Sequence, residues 1–322
     1  MGRNLVVCCD GTNQQFSRVN TNVVHLFRAA VHDEAQQQVF YSPGVGTFAA
    51  SFFGLNVGRL LGRVLGMAFG YGIQQNMEAA YRFLVETYEP GDRVFLFGFS
   101  RGAFTARSLA SMIDRCGIVE PQHADKIHEV TRRYLRGDDD ATLDRFRDAF
   151  ARPCEPWMVG VWDTVGALGL LIAMHKFHDR RLSPGVRYAF HALALDEKRR
   201  PFSPTPWDES QCHAGQTVEQ RWFAGSHGDI GGMYPERGLP DITLRWLLKR
   251  AADAGLKLEA GAIDALDGDP AGELHQKASG PWLLLGVARR TYPPNALMHA
   301  SVQARIEQVD GYSPEARPAG AR

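Results

Sequence analysis

Residues 93–113 read RVFLFGFSRGAFTARSLASMI, and this block constrains the chain more than any other. Its first part, Arg93 to Phe97 or Gly98, is an apolar run of the kind a strand needs when both of its faces are covered. Such strands belong to parallel sheets sandwiched between helices. From about Ala103 to Cys116 the pattern turns helical. The join is Gly98-Phe99-Ser100-Arg101-Gly102, which satisfies G-x-S-x-G. A strand that turns directly into a helix holds the serine in a strained conformation with its hydroxyl projecting, and glycines on either side let the backbones pass. Gly98, Ser100 and Gly102 therefore form a candidate nucleophile elbow.

The remaining segments supply a sheet around it. Leu5 to Cys9 is a second uninterrupted apolar run, closed by the turn Asp10-Gly11-Thr12-Asn13, and Thr21 to Ala30 and Gln38 to Ser42 read as helix and strand. Asn76 to Tyr88 is an amphipathic helix, Trp157 to Trp162 and Gln220 to Ala224 are strands, and Tyr188 to Leu195 is a further short element. Asp241 to Ala254 is a helix with Asp241 as its expected N-cap. Strands alternating with helices predict an α/β fold, α/β-hydrolase-like, with a predominantly parallel central sheet flanked by helices and carrying cap insertions. One catalytic domain is expected over residues 1–312, with a charged helical insertion at about 120–150, a weakly patterned stretch at 255–280 and a flexible tail at 313–322.

A serine nucleophile needs a base, a group to orient the base, and donors for the oxyanion. In α/β-hydrolases the order along the chain is serine, acid, histidine. Asp163 directly follows the strand WMVGVW, and His227 follows QRWFAGS, so both stand where catalytic loops begin. Asp196, beside Glu197 in HALALDEKRR, is the alternative acid, and His299, in the helical-looking ALMHASVQARI, is the alternative base. His175 and His178 read as surface or insertion residues, and His25 precedes the serine and breaks the order. Oxyanion donors are expected from the backbone N–H of Arg101 and from Gly11 or Thr12 after the first strand.

Composition excludes other classes. The 36 Lys and Arg balance 36 Asp and Glu, leaving no net field to attract nucleic acid, so no nucleic-acid partner is expected. The five cysteines have no C-x-x-C spacing and read as buried small hydrophobes in a reducing compartment, so neither metal nor other cofactor is expected. The N-terminus lacks a classical export signal. Between Ser51 and Gly70, glycine recurs every fourth residue beside the apolar Phe53, Val57, Leu61 and Leu65. Arg59 and Arg63 oppose a transmembrane span. The segment reads either as a packed helix or glycine-rich loop, or as a lid that touches membrane and rims an acyl pocket.

The segments CCDGTNQ, FYSPGVGT, GYGIQQNMEAAYRFL, GDRVFLFGFSRGAFTARSLASMI, GVWDTVGALG, HALALDEKRRPF and WFAGSHGDIGGMY together resemble an α/β-hydrolase domain first catalogued as a domain of unknown function. That family includes the GFSRG-type phospholipase effectors of bacterial type VI secretion. The resemblance spans roughly residues 4–310, departing where Gly231-Gly232-Met233-Tyr234 replaces the frequent GGGY. It implies a serine esterase or lipase working through an acyl-enzyme, with Ser100 as nucleophile, Asp163 as acid and His227 as base. It further implies an ester or phospholipid substrate, peripheral membrane contact, and residence in the producing cell's cytoplasm before type VI export. A secretion-apparatus or immunity partner follows from the resemblance alone. A thioesterase or peptidase would use the same triad, and a non-catalytic binding module is open to the same fold.

Overall fold

The apolar run at residues 5–9 becomes strand β1 (Asn4–Cys9) in a computed structural model that describes residues 2–11, 19–44, 58–165, 181–275 and 286–318, and for 58–71 the backbone alone. Its alternate residues serve two different cores. Leu5, Val7 and Cys9 pack into one and Val6 and Cys8 into the other, which is why the run is continuously rather than alternately apolar. Helix α1 (Asn22–Ala29) is capped by the Thr21 side chain and leads to β2 (Gln37–Ser42). Helix α2 (Gly58–Thr87) is 30 residues long and ends before β3 (Arg93–Phe99), which runs into α3 (Arg101–Cys116). The expected insertion follows. Short strands β4 (Ile118–Val119) and β5 (Ala151–Arg152) pair antiparallel at its neck and enclose α4 (Ile127–Arg136) and α5 (Asp140–Phe150).

The second half continues with β6 (Met158–Trp162), β7 (Tyr188–Ala194), β8 (Thr217–Phe223), the single turn α6 (His227–Gly231) and α7 (Gly238–Asp253). It closes with β9 (Thr291–Tyr292), β10 (Leu297–Met298), α8 (Ala300–Gln308) and β11 (Arg317–Pro318). Seven strands form one sheet in the order β10-β8-β7-β6-β3-β1-β2, and every pairing in it is parallel. Tyr81, Leu109 and Ile113 belong to the core on one face of the sheet, and Leu26, Leu247 and Leu248 to the core on the other. Full burial of each such side chain stabilises the fold by about 1.5–3 kcal/mol. From β1 the chain first moves outward to β2, then returns to β3 on the opposite side of β1. The order therefore reverses between β1 and β3, and in open α/β sheets the crevice at the carboxyl ends beside such a reversal is where ligands bind.

This is the α/β-hydrolase-like architecture expected, with local corrections. Asp241 does not cap its helix. The helix begins at Gly238, three residues earlier, with Pro240 in its first turn, where a missing N–H costs nothing. Asp241 accepts from Arg237 Nε at 2.9 Å instead. The helix expected at 76–88 begins at Gly58, because no proline interrupts the run. Of the expected apolar rim at 51–70, Phe53 and Val57 lie outside the described residues, as do the side chains of Leu61 and Leu65. His299 is not within a helix but precedes one, its ring accepting from Ser301 N at 3.2 Å. The tail expected at 313–322 is docked as far as residue 318, with Ala316 N donating to Leu195 O at 2.9 Å and Arg317 pairing with Thr291. Among the described residues, no helix is long and apolar enough to cross a membrane.

Candidate active site

Ser100 stands between β3 and α3 with φ 59° and ψ −120°. Among the described residues only Ser100 and Asp163 combine a side chain with positive φ, Asp163 at 40°. Such conformations cost on the order of 1–3 kcal/mol and persist only where the surroundings enforce them. At Ser100 the enforcement is backbone packing. A Cβ on Gly98 would lie 2.4 Å from Gly102 O, and one on Gly102 would lie 2.2 Å from Cys9 O. Both positions must therefore be glycine for α3 to start against the end of β1. Ser100 N donates to Trp162 O at 3.0 Å, tying the elbow to the end of β6.

Asp163 follows β6 immediately, and its own N–H donates to Ala192 O at 2.8 Å. His227 is the first residue of α6, whose turn is held because Ser226 N and Ser226 Oγ both donate to Asp229 Oδ2, at 2.8 and 2.9 Å. The three side chains meet at the carboxyl ends of the strands. His227 Nε2 is 2.8 Å from Ser100 Oγ, and His227 Nδ1 is 2.6 Å from Asp163 Oδ2. All are buried, Asp163 completely and Ser100 to 7% exposure. Phe99 and Phe202 lie against the imidazole, with centroids at 4.7 and 4.8 Å.

Burial alone would push the Asp163 carboxyl upward, but the Arg290 guanidinium and the hydrogen bonds from Arg290 and His227 hold it well below the usual carboxylate range. An ionised Asp163 accepts only, so Nδ1 of His227 carries the proton and Nε2 presents a lone pair to the Ser100 hydroxyl. The arrangement can draw a proton from Ser100 and hold the resulting imidazolium.

The sequence reading missed two groups here. Arg290 donates from Nη1 to Asp163 Oδ1 at 2.6 Å and from Nη2 to Oδ2 at 2.8 Å. It lies in the short, loop-rich stretch GVARRTYPP, which carries no periodicity to mark it. Glu197 Oε2 accepts from His227 N at 3.2 Å while its carboxylate pairs with Arg199. In sequence Glu197 stands only as the neighbour of the alternative acid Asp196, and in the structure it is 3% exposed.

The alternative candidates lie elsewhere. Asp196 accepts from Gly225 N at 2.7 Å, Tyr312 Oη at 2.9 Å and Glu315 N at 3.0 Å, so its carboxylate is spent on joining loops. His299 stacks on Phe223 at 4.6 Å, and burial pushes it down to about 4. His25 sits on α1 and is likewise held at about 4 by burial. His175 and His178 lie outside the described residues. Of the oxyanion candidates, Arg101 opens α3, whose first-turn N–H groups point outward at the positive end of the helix dipole. Gly11 N donates to Asp10 Oδ1 at 2.7 Å, and Thr12 lies outside the described residues. Asp10 also accepts from Thr21 and Tyr41, both at 2.7 Å, locking this loop to α1 and β2. Among the described residues, Glu236, Glu273 and His275 bring metal-ligand atoms within 4.8 Å of one another, but both glutamates are exposed.

A family model described as the catalytic domain of Tle1-like phospholipase effectors of type VI secretion matches residues 3–250. The uncharacterized protein YEL023C of Saccharomyces cerevisiae is 30% identical over 220 residues, covering 62% of this chain and 32% of that protein. The chain thus spans about a third of the length of this curated relative. Among the solved structures that align with it are two. One is an uncharacterized protein from Pseudomonas aeruginosa, with TM-score 0.47, 16% identity and coverage of 83% of this chain and 49% of that one. The other is the Tle1 effector bound to the VgrG spike of the type VI secretion system, with TM-score 0.43, 20% identity and coverage of 74% and 52%.

Proposed function

The chain belongs to the family of Tle1-like catalytic domains of type VI phospholipase effectors, and from that premise we propose that it hydrolyses a carboxylic ester of a phospholipid through Ser100, His227 and Asp163. The observation that carries this reading is the unbroken line of contacts from Ser100 Oγ through both imidazole nitrogens to Asp163, at 2.8 and 2.6 Å. Ser100 attacks the ester carbonyl as His227 Nε2 takes its proton, and Asp163 stabilises the imidazolium. The Arg101 N–H receives the oxyanion, and the loop after β1 is the expected source of a second donor, the Gly11 N–H being given to Asp10 Oδ1. His227 then protonates the departing alcohol, leaving an acyl-Ser100. Water, deprotonated by the same nitrogen, attacks the acyl group and releases the fatty acid.

Family membership also supports export by a type VI apparatus and contact with a spike component or an immunity protein. The substrate and the mechanism are tested together. Wild-type protein should label with a fluorophosphonate at Ser100, and mass spectrometry of phospholipid vesicles should show free fatty acid and lysophospholipid. Ser100→Ala should give neither signal. Labelling without lipid products would retain a serine hydrolase and discard the phospholipid. Absence of labelling would leave a binding module.

A further inference from the structure

We propose that Arg290 is the positioning residue for Asp163, delivered by a C-terminal strap, residues 286–318, that fastens the acid and base loops of the site to one another. The inference rests on the Ser100–His227–Asp163 reading above.

Asp163 has two problems that its own segment does not solve. It is a fully buried carboxylate, and it occupies a backbone region unfavourable to any residue with a side chain. A buried charge of this kind is tolerable only beside an opposite charge with good hydrogen-bond geometry. Arg290, 5% exposed, supplies both, because its fork meets the two carboxylate oxygens with one nitrogen each. Oδ1 then accepts from Ala194 N and Arg290, and Oδ2 from His227 and Arg290. A carboxylate held in this way cannot rotate, and one lone pair of Oδ2 stays directed at His227 Nδ1. The guanidinium is itself fixed, donating to Ala194 O at 2.9 Å and Phe202 O at 2.5 Å.

The strap reaches the base by a second route. Tyr312 and Glu315 both donate to Asp196, which also accepts from Gly225 N, two residues before His227. Arg317 N donates to Arg290 O at 3.0 Å, and Ala288 N donates to Lys198 O at 2.8 Å, so the strap's ends are joined to each other and to the loop after β7. All of it lies beyond residues 3–250, the part matched by the family model. The matched region alone therefore lacks the residue that orients its acid.

The test uses the full chain with p-nitrophenyl esters, comparing Arg290→Ala, Arg290→Lys, Asp163→Asn and the Arg290→Ala/Asp163→Asn double variant. Arg290→Ala should lower kcat about 100-fold with KM changed by less than about threefold, since the geometry of the reacting groups is lost and not the binding of ester. In the Asp163→Asn background the same change should cost less than about threefold, because the residue acts through the carboxylate that is already gone. Guanidinium ion, but not urea of the same shape, should restore Arg290→Ala about tenfold, since charge as well as shape is needed. Arg290→Lys, reaching one oxygen only, should stand between wild type and Arg290→Ala. Equal losses in both backgrounds, or a kcat within about threefold of wild type for Arg290→Ala, would overturn the inference. Should Arg290→Ala not fold, a folded Arg290→Lys turning over at the wild-type rate overturns it instead. Failure of the underlying reading looks different: Asp163→Asn itself would keep wild-type kcat, or the wild type would resist fluorophosphonate.

Discussion

Among the described residues, two buried carboxylates are each paired with an imidazole, and both couples draw on the short turn α6. Asp163 and His227 are 2.6 Å apart, and Asp229 and His275 are 2.7 Å apart. Both carboxylates are at most 1% exposed. The couples differ in what faces the far nitrogen. His227 Nε2 meets a strained serine hydroxyl at 2.8 Å, whereas His275 Nε2 faces Glu236 at 3.3 Å and Glu273 at 3.6 Å, with Tyr234 stacked on its ring. They differ also in what holds the acid. Asp163 is gripped by Arg290, while Asp229 accepts from Ser226 N, Ser226 Oγ and His275 N. An Asp–His contact by itself is therefore a structural fastening, and it gains a chemical use only where its outer nitrogen reaches a group able to give up a proton.

The strongest way to break this comparison is to remove the imidazole of each couple, and the serine that faces the first. Ser100→Ala and His227→Ala should each lower esterase turnover by about 10⁴-fold or more while Tm stays near wild type. His275→Ala should leave turnover within about tenfold of wild type, its main effect being on stability. If it matched His227→Ala in a folded protein, the second couple would belong to the chemistry.

A third histidine sharpens the contrast from another side. His191 is fully buried, and among the described residues no carboxylate meets either of its nitrogens. Its Nε2 accepts from Thr164 N at 3.1 Å, and its Nδ1 is 3.3 Å from Gln220 Oε1. Burial, with the nearby positive Arg107, pushes it down to about 3. The unfolded chain, where histidine titrates near 6.5, then binds this proton more tightly than the fold does. The stability His191 contributes is present above about pH 6.5 and lost as pH falls toward 3, by up to about 1.4 kcal/mol per unit. His25 and His299, both near 4, add to the same window. Asp163, held well below the usual carboxylate range, contributes its own loss only below about pH 4. Thermal unfolding between pH 7.5 and 4.5 should show a steep loss for wild type and a shallower one for His191→Gln. Identical slopes would remove His191 as a source.

Asp229→Asn tests the second couple's acid directly. It weakens the shared acceptor of the turn and should destabilise the protein by about 1–3 kcal/mol in denaturant unfolding. A smaller effect is expected at Asp241, whose partner Arg237 is partly exposed. Asp241→Asn should cost no more than about 1 kcal/mol, and a larger loss would mean that the residue does more than pair with Arg237.

Most of the sheet was legible because its residues report their surroundings locally. Leu5–Cys9 and Val94–Phe97 are apolar at every position because each strand faces two cores, and Gly98 and Gly102 stand where no Cβ fits. Chain order and placement after strands single out Ser100, Asp163 and His227, and the structure brings these three side chains together. The start of α7 was misread because a charged residue attracted the N-cap assignment away from a proline that already marked the first turn.

What sequence alone determined was the order of the elements and the strained serine between two of them, since both follow from apolar periodicity and glycine at fixed local spacing. What only the tertiary structure decided was how the acid is held. Arg290 lies 127 residues from Asp163 in a stretch without periodic pattern, and Asp196 and Asp163 look alike until their partners are known. The difference between a carboxylate that joins loops and one that meets an imidazole facing a serine is made by burial and by charges brought close through folding, and Coulombic interactions depend on distance in space and not along the chain.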